Sequence, residues 1–499
     1  MGNLLSKPKP QALPAVPTDT VVPMHNMDDN VFNRAMVVMF MMRFDDVLDP
    51  ELLQGSLEKL LSRDDWRKLG ARIRLNDNGK LDYHIPERFD EKRPAFGFSR
   101  VVYDVEIGNH PLASRLPKAS SKPAVVGDPE DFRSLMRRDD GPTCIEDYIY
   151  RDEPSLSMHI VSFQDATLVT LGWPHTFLDA MGRRELFQAW IATLEGRNDD
   201  VKPLHGVYED PLKNFGVSPT EPYMFANRVM TGWSKVVFIA RIIFEQMWYP
   251  QEETRIICLP AAHVQKLRAT AIADLEKLSE DKESKPFLSE GDVVSGWMTR
   301  LIVQQMESPG SERTIQIFNA FGLRSIFAKD LLPSNSAYVA NAVSAVYALV
   351  SAKDILTKPL GFVAAAVRRS IAEQGTREQL EARRALDLAS LEKSGMPALL
   401  GDSSMKMILI SNWTKARFFE NDFSAAVVKG TVPQERLERS PSKIGRPSYI
   451  QTAGYTTSAF PLRNAFPIIG KDNDGNYWTS GSLRKGSWSQ IEELLKRSE

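Results

Sequence analysis

Residues 173–182 read WPHTFLDAMG, placing His175 directly after Pro174 and Asp179 four residues further on. Histidine is the side chain whose ordinary pKa lies closest to neutrality, so it is the first candidate for a general base. Pro174 fixes the backbone just ahead of the ring, and an amphipathic pattern begins within a few residues, so the imidazole sits near a helix N-terminus. The positive end of a helix disfavours imidazolium by up to ~2 kcal/mol, roughly one and a half pKa units, and so favours the neutral form that a base requires. Asp179 has two readings: the orienting carboxylate of a nucleophilic triad, or a structural carboxylate turned away from the ring and paired with a cation elsewhere. The chain has no GxSxG elbow and no second Cys/His signature, which favours the structural role. A lone HxxxD supplies only two metal ligands and no neighbouring His or Glu adds a third, so no metal is expected. The phosphate-loop and dinucleotide fingerprints are absent as well. His25, His84, His110, His159, His205 and His263 sit in loops or strands without a partner at a telling spacing and read as satisfied polar residues. A His-x-x-x-Asp pair arises often by chance, so on the residues alone a catalytic base and a polar residue at a strand-to-helix turn both stay open.

The elements around the pair show how it would be held. SLSMHIVSFQDATLVTLGWP reads as two strands around a Gln-Asp turn, and LDAMGRRELFQAWIATLEG as a helix with Phe187, Trp190, Ile191 and Leu194 on one face, ending at Gly196. Upstream, RAMVVMFMMRF is a buried strand, DPELLQGSLEKLLSR a helix behind an Asp-Pro start, and NDNGK a hairpin turn. Residues 108–143 form a long irregular excursion of the kind that wraps a site. Further on, a helix at SEGDVVSGW leads to strands TIQIFNAF and VANAVSAVYALV, then to the polar helix REQLEARRALDLASLEKS. MKMILISNW, NDFSAAVV and the hairpin FPIIGKDNDGNYWTSGSL read as closing strands, followed by a terminal helix WSQIEELLKR.

Helix and strand alternate without a repeat period, which gives a mixed α/β (α+β) class, and 499 residues exceed the size at which one core stops growing, which gives two units. With 62 basic against 64 acidic residues the net charge is −2, so no global charge draws the chain to nucleic acid, and no helix-turn-helix or zinc pattern appears. Only Cys144 and Cys258 are present, far apart, which fits a reducing, cytoplasmic setting. The N-terminal residues lack the apolar core of a secretory signal, but MGNLLS carries Gly2 and Ser6 where a myristoylation signal wants them, which would give weak peripheral membrane association. WSKVVFIARIIFEQMW, residues 233–248, is too short and too charged to span a bilayer. A buried crossover helix is the preferred reading, and a helix lying on a membrane surface is the other.

Taken together, HTFLDA and the later DFSAA resemble the HxxxD and DFGWG signatures of the BAHD-type, coenzyme A-dependent acyltransferases, particularly their divergent fungal branch acting on secondary metabolites. VVPMHNMDD resembles that family's opening L-x-x-x-D segment, LSEGDVVSGWMTR the helix that begins its second domain, FNAFGLRSIF and YVANAV its R-S-R and Y-F-G-N elements, and ISNW the segment before DFGWG. The order and spacing match over roughly residues 20 to 490. This chain departs from the pattern at Ala180, where glycine is usual, and at Ile326, where a second arginine is common. In DFSAA, only Asp422 and Phe423 survive, with Ser424, Ala425 and Ala426 replacing Gly-Trp-Gly.

The resemblance implies two chloramphenicol-acetyltransferase-like domains with mixed sheets flanked by helices. They would comprise a disordered tail at 1–24, an N-terminal domain at 25–215 carrying HxxxD, a crossover at 216–253 and a C-terminal domain at 254–499 carrying the altered DFGWG element. It implies an active-site tunnel between the domains, reached by acetyl-coenzyme A or another acyl-coenzyme A and by a small-molecule acceptor, in a monomer with no metal. His175 would be the base, Asp179 its structural support through Arg324, and Ser411 or the Trp413 indole N–H the donor to the oxyanion, with Asp422 in a structural role. A cyclase or isomerase reusing the same fold and histidine is the alternative.

Overall fold

The computed structural model describes residues 13–278, 285–456 and 463–497, so Gly2 and Ser6 lie outside the described residues. Among the described residues, three sheets organise the chain. A five-stranded sheet runs in the order β13 (Tyr449–Thr456), β2 (Met36–Phe44), β8 (Thr167–Pro174), β7 (Ser157–Ser162) and β5 (Gly97–Val102). A seven-stranded sheet runs β11 (Val343–Ser351), β10 (Thr314–Gly322), β12 (Lys406–Asn412), β14 (Ala465–Lys471), β15 (Tyr477–Arg484), β9 (Glu252–Leu259) and β6 (Ala124–Gly127). Both sheets are mixed, with parallel pairs at β5/β7, β10/β12 and β12/β14. A small antiparallel sheet joins β1 (Thr20–Pro23), β4 (Leu81–Ile85) and β3 (Arg72–Leu75), so the stretch expected to be tail ends in a paired strand.

The helices begin where their caps stand. In α1 (Pro50–Leu61) the Asp49 carboxylate accepts from the Glu51 and Leu52 amides and proline occupies the first helical position. In α2 (Ala180–Leu194) the cap is Asp179 itself. Trp190 of α2 donates its indole N–H to Ser56 Oγ of α1 at 2.9 Å, fastening the two helices beside the first sheet. Further long helices are α3 (Gly232–Trp248) and α4 (Arg377–Ser394).

Three expectations need correction. The excursion at 108–143 is not irregular throughout: Ala124–Gly127 pairs with β9 and becomes the edge strand of the second half's sheet, while β13 from the second half completes the first sheet against β2. The NDFSAAVV segment is no strand; the Asp422 carboxylate accepts the Ser424 amide at 3.0 Å, and this turn conformation competes with a ladder. Phe423 then packs edge-on against Phe44 and Trp190. Finally, α3 is not buried: Phe238 is its one buried residue, and Trp233 and Met247 are more than three-quarters exposed. Its apolar run suggests a core helix because apolar residues fill cores, but that rule works in one direction only.

Candidate active site

His175 stands where β8 ends and the turn into α2 begins, and the turn is secured from both halves of the chain. From the first half, the His175 amide donates to the Met36 carbonyl at 2.9 Å, Tyr83 Oη to the Thr176 carbonyl at 3.1 Å, and the Trp173 indole to the Leu178 carbonyl at 3.2 Å. From the second, Asn341 Nδ2 donates to the His175 carbonyl at 2.9 Å and to Asp28 Oδ1 at 2.7 Å, and the Asn341 amide also donates to Asp28 Oδ1 at 2.7 Å. The motif segments containing Asp28 and Asn341 are visible in the sequence; their link, across 313 residues, is not.

Asp179 points away from the ring and is fully engaged. Oδ1 accepts from the Gly182 amide at 2.7 Å, and Oδ2 accepts from Arg324 Nη1 and from the Ala342 amide, both at 2.9 Å. Arg324 also donates from Nε to the Tyr338 carbonyl at 3.0 Å and from Nη2 to the Ala340 carbonyl at 2.7 Å. Burial alone would push the Asp179 carboxyl up, but the Arg324 cation and the two amides outweigh it and hold the group below its ordinary value. A buried pair of this kind costs ~3–5 kcal/mol to break on one side. Both readings of Asp179 therefore meet a definite geometry: it ties the first helix of the motif to the YVANAV segment and touches no nucleophile.

The His175 ring is half-buried while Trp173, Pro174, Thr176, Phe177, Leu178 and Asp179 around it are buried. Nδ1 is sealed from solvent without an acceptor at good hydrogen-bond geometry, so Nε2 is the nitrogen left with access. Burial lowers the imidazole pKa below its ordinary value; the residue's own carbonyl and Asp179 work upward and Arg183 works downward. At neutral pH the ring is unprotonated.

Sequence reasoning missed Arg183. It lies one turn before Phe187 on the apolar face of α2, and a charged residue on that face was the available signal. Its guanidinium is buried among four aromatic rings, 3.9 Å from the Phe40 centroid, 4.3 Å from Phe418, 4.8 Å from Trp413 and 5.4 Å from Trp173. Nε and Nη2 have no hydrogen-bond partner, and burial pulls the group down to about 9. Through Trp413 this cage reaches ISNW, where the indole N–H donates to Ser411 Oγ at 2.8 Å. The indole proton is thus already committed, and of the two expected donors the Ser411 hydroxyl keeps a proton to give. Asp422, 38% exposed and 3.6 Å from Arg446, belongs to its own turn and is not brought to the histidine.

The model of the Transferase family matches residues 146–435, a span that contains the HxxxD pair, the Arg324 region and ISNW. The chain belongs to this family. Its members of BAHD type share the two-domain, mixed-sheet architecture found here. Across 497 residues the chain is 44% identical to a Penicillium decumbens protein named transcriptional regulator calD, and across 496 residues 38% identical to acetyltransferase adrJ of Penicillium roqueforti; each alignment covers 99% of both chains. Among solved structures it resembles F. graminearum TRI101 complexed with coenzyme A and T-2 mycotoxin, with a TM-score of 0.66 and 12% identity over 96% of this chain and 98% of that one. At that identity the likeness speaks for the fold.

Proposed function

We propose that the protein transfers an acyl group, acetyl in the simplest case, from acyl-coenzyme A to a hydroxyl or amine of a small molecule, with His175 as general base. The observation that carries this is a neutral imidazole whose Nε2 alone keeps access, braced from both halves of the chain. Nε2 takes the acceptor proton as the acceptor oxygen or nitrogen attacks the thioester carbonyl. The C–S bond then breaks, and the proton passes to the departing thiolate. Asp179 and Arg324 act as positioning residues. The Ser411 hydroxyl, its oxygen held by the Trp413 indole, is the donor proposed for the oxyanion. General base catalysis contributes about 10²–10⁴-fold, ~3–5 kcal/mol of barrier, whereas holding two reactants together supplies ~7–11 kcal/mol. Positioning is therefore the larger part, which accounts for the number of bonds spent on the turn.

The name of the Penicillium decumbens relative raises a regulatory reading, and a cyclase or isomerase would also keep a base here. Acetyl-coenzyme A separates them. The purified protein is expected to gain thermal stability with acetyl-coenzyme A and to release thiol when small-molecule hydroxyl and amine acceptors are screened. His175→Ala is expected to keep the fold and the acetyl-coenzyme A stabilisation while thiol release drops at least about a hundredfold. Undiminished release in that variant would remove the histidine from the reaction.

A further inference from the structure

The solvent-facing side of α3 is the reverse of an ordinary surface helix. At 100° per residue, Trp233, Val236, Ile243, Phe244, Met247 and Trp248 fall within about 140° of the circumference. They are exposed by 78, 49, 53, 63, 77 and 68% respectively. The opposite side holds the helix to the body: Phe238 and Ile239 pack with Met230 and Met405, and Glu245 turns inward to Lys406. On that same body-facing side Lys235 Nζ donates to Ser394 Oγ at 2.8 Å, which fastens α3 to the end of α4. A continuous exposed apolar strip on this scale is a docking surface rather than scattered surface hydrophobics.

Charge and residue type identify the occupant. The strip carries no carboxylate, since Glu245 is the helix's one acid and faces the body. Arg241 borders it beside Trp248 and is not paired with an acid among the described residues. Aromatic rings stand at both ends, Trp233 at the first turn and Trp248 with Tyr249 at the last, where amphipathic rings settle at the headgroup level. A second copy of the chain would bring the same cation and no acid to meet it. No helix among the described residues is long and apolar enough to cross a membrane. We propose that α3 lies in the interface of an anionic lipid surface, its strip buried among the upper acyl chains and Arg241 reaching out to the phosphates. This surface is independent of the chemistry at His175. A single acyl chain holds a protein only marginally, so the helix would also supply the second signal that an acylated Gly2 needs.

The test is co-sedimentation of the full chain, made in bacteria so that Gly2 carries no myristate, with phosphatidylcholine vesicles with and without phosphatidylserine. Binding is expected to the phosphatidylserine vesicles and to weaken as salt is raised. Phe244→Asp with Trp248→Ser is expected to lower that binding at least about tenfold, from the apolar area removed, and Arg241→Glu to weaken the preference for phosphatidylserine. Both variants change solvent-facing side chains, and an unchanged circular dichroism spectrum confirms that they fold. Failure of the parent chain to bind phosphatidylserine vesicles at low salt overturns the proposal. So does undiminished binding by the double variant, and so does a dimer in sedimentation velocity that this variant dissolves, which would assign the face to a second copy.

Discussion

At the scale of single residues, the unusual choice is Arg183. Each ring of its cage is worth ~0.5–2 kcal/mol to a cation, and four of them offset a burial that Asp179 relieves only through its charge, without a bond. The same charge works against protonation of His175, as burial does, so the base stays deprotonated below its ordinary pKa. The sign of the consequence is fixed. Removing the cation in Arg183→Met, which keeps a flexible apolar side chain in the cage, lets the imidazole hold its proton to higher pH. The acid limb of the kcat/KM profile for thiol release is then expected to move to higher pH; a limb that stays in place would mean that the arginine is purely a packing residue.

The elements meet at one close backbone approach. A Cβ built on Gly182, in the first turn of α2, would lie 1.9 Å from the Val339 carbonyl oxygen, and the strand of chain carrying that carbonyl continues into Asn341 and Ala342. Ala180, where glycine is usual in the family, has room for its methyl; the position that demands glycine here is two residues on. Gly182→Ala is expected to cost at least ~1–3 kcal/mol, read as a lowered Tm, and to reduce activity as well because Asn341 and Ala342 must move. Gly55→Ala in α1 is the internal control, since nothing lies within 4 Å of that position and the change should stabilise by ~0.5–1 kcal/mol. Equal behaviour of the two variants would show that the segment holding Val339 yields freely.

For the whole molecule, the exchange of β6 and β13 means that neither half has a complete sheet of its own. The halves therefore respond together to whatever loads either core. Burial lowers His25 to about 3, helped by Lys68 and His205, and lowers His159 to about 4. Unfolded, both rings titrate near 6.5. Below that pH the unfolded chain binds protons that the folded chain refuses, so their effect is nil above 6.5 and stability falls as pH drops from 6.5 towards about 4. The denaturation midpoint is expected to decrease across that window, and His159→Gln to flatten part of the slope; a parallel slope in the variant would exclude the ring as a contributor.

The amino-acid sequence by itself determined the features that act over a few residues: the alternating strands flanking Gln164-Asp165, the Asp-Pro start of α1, Pro174 ahead of the histidine, and the helix that begins after Asp179. Their order was enough for a resemblance that the family match and the fold agree with, and the pairing of Asp179 with Arg324 followed from it. Tertiary structure alone decided the rest. Which half completes which sheet, that Asp28 holds Asn341 against the His175 carbonyl, that Arg183 sits inside four rings, that the Trp413 proton goes to Ser411, and that α3 turns its apolar side outward all depend on contacts between distant segments. Local patterns state which residues prefer to leave water, but the partner each finds is chosen by the packing of the whole chain.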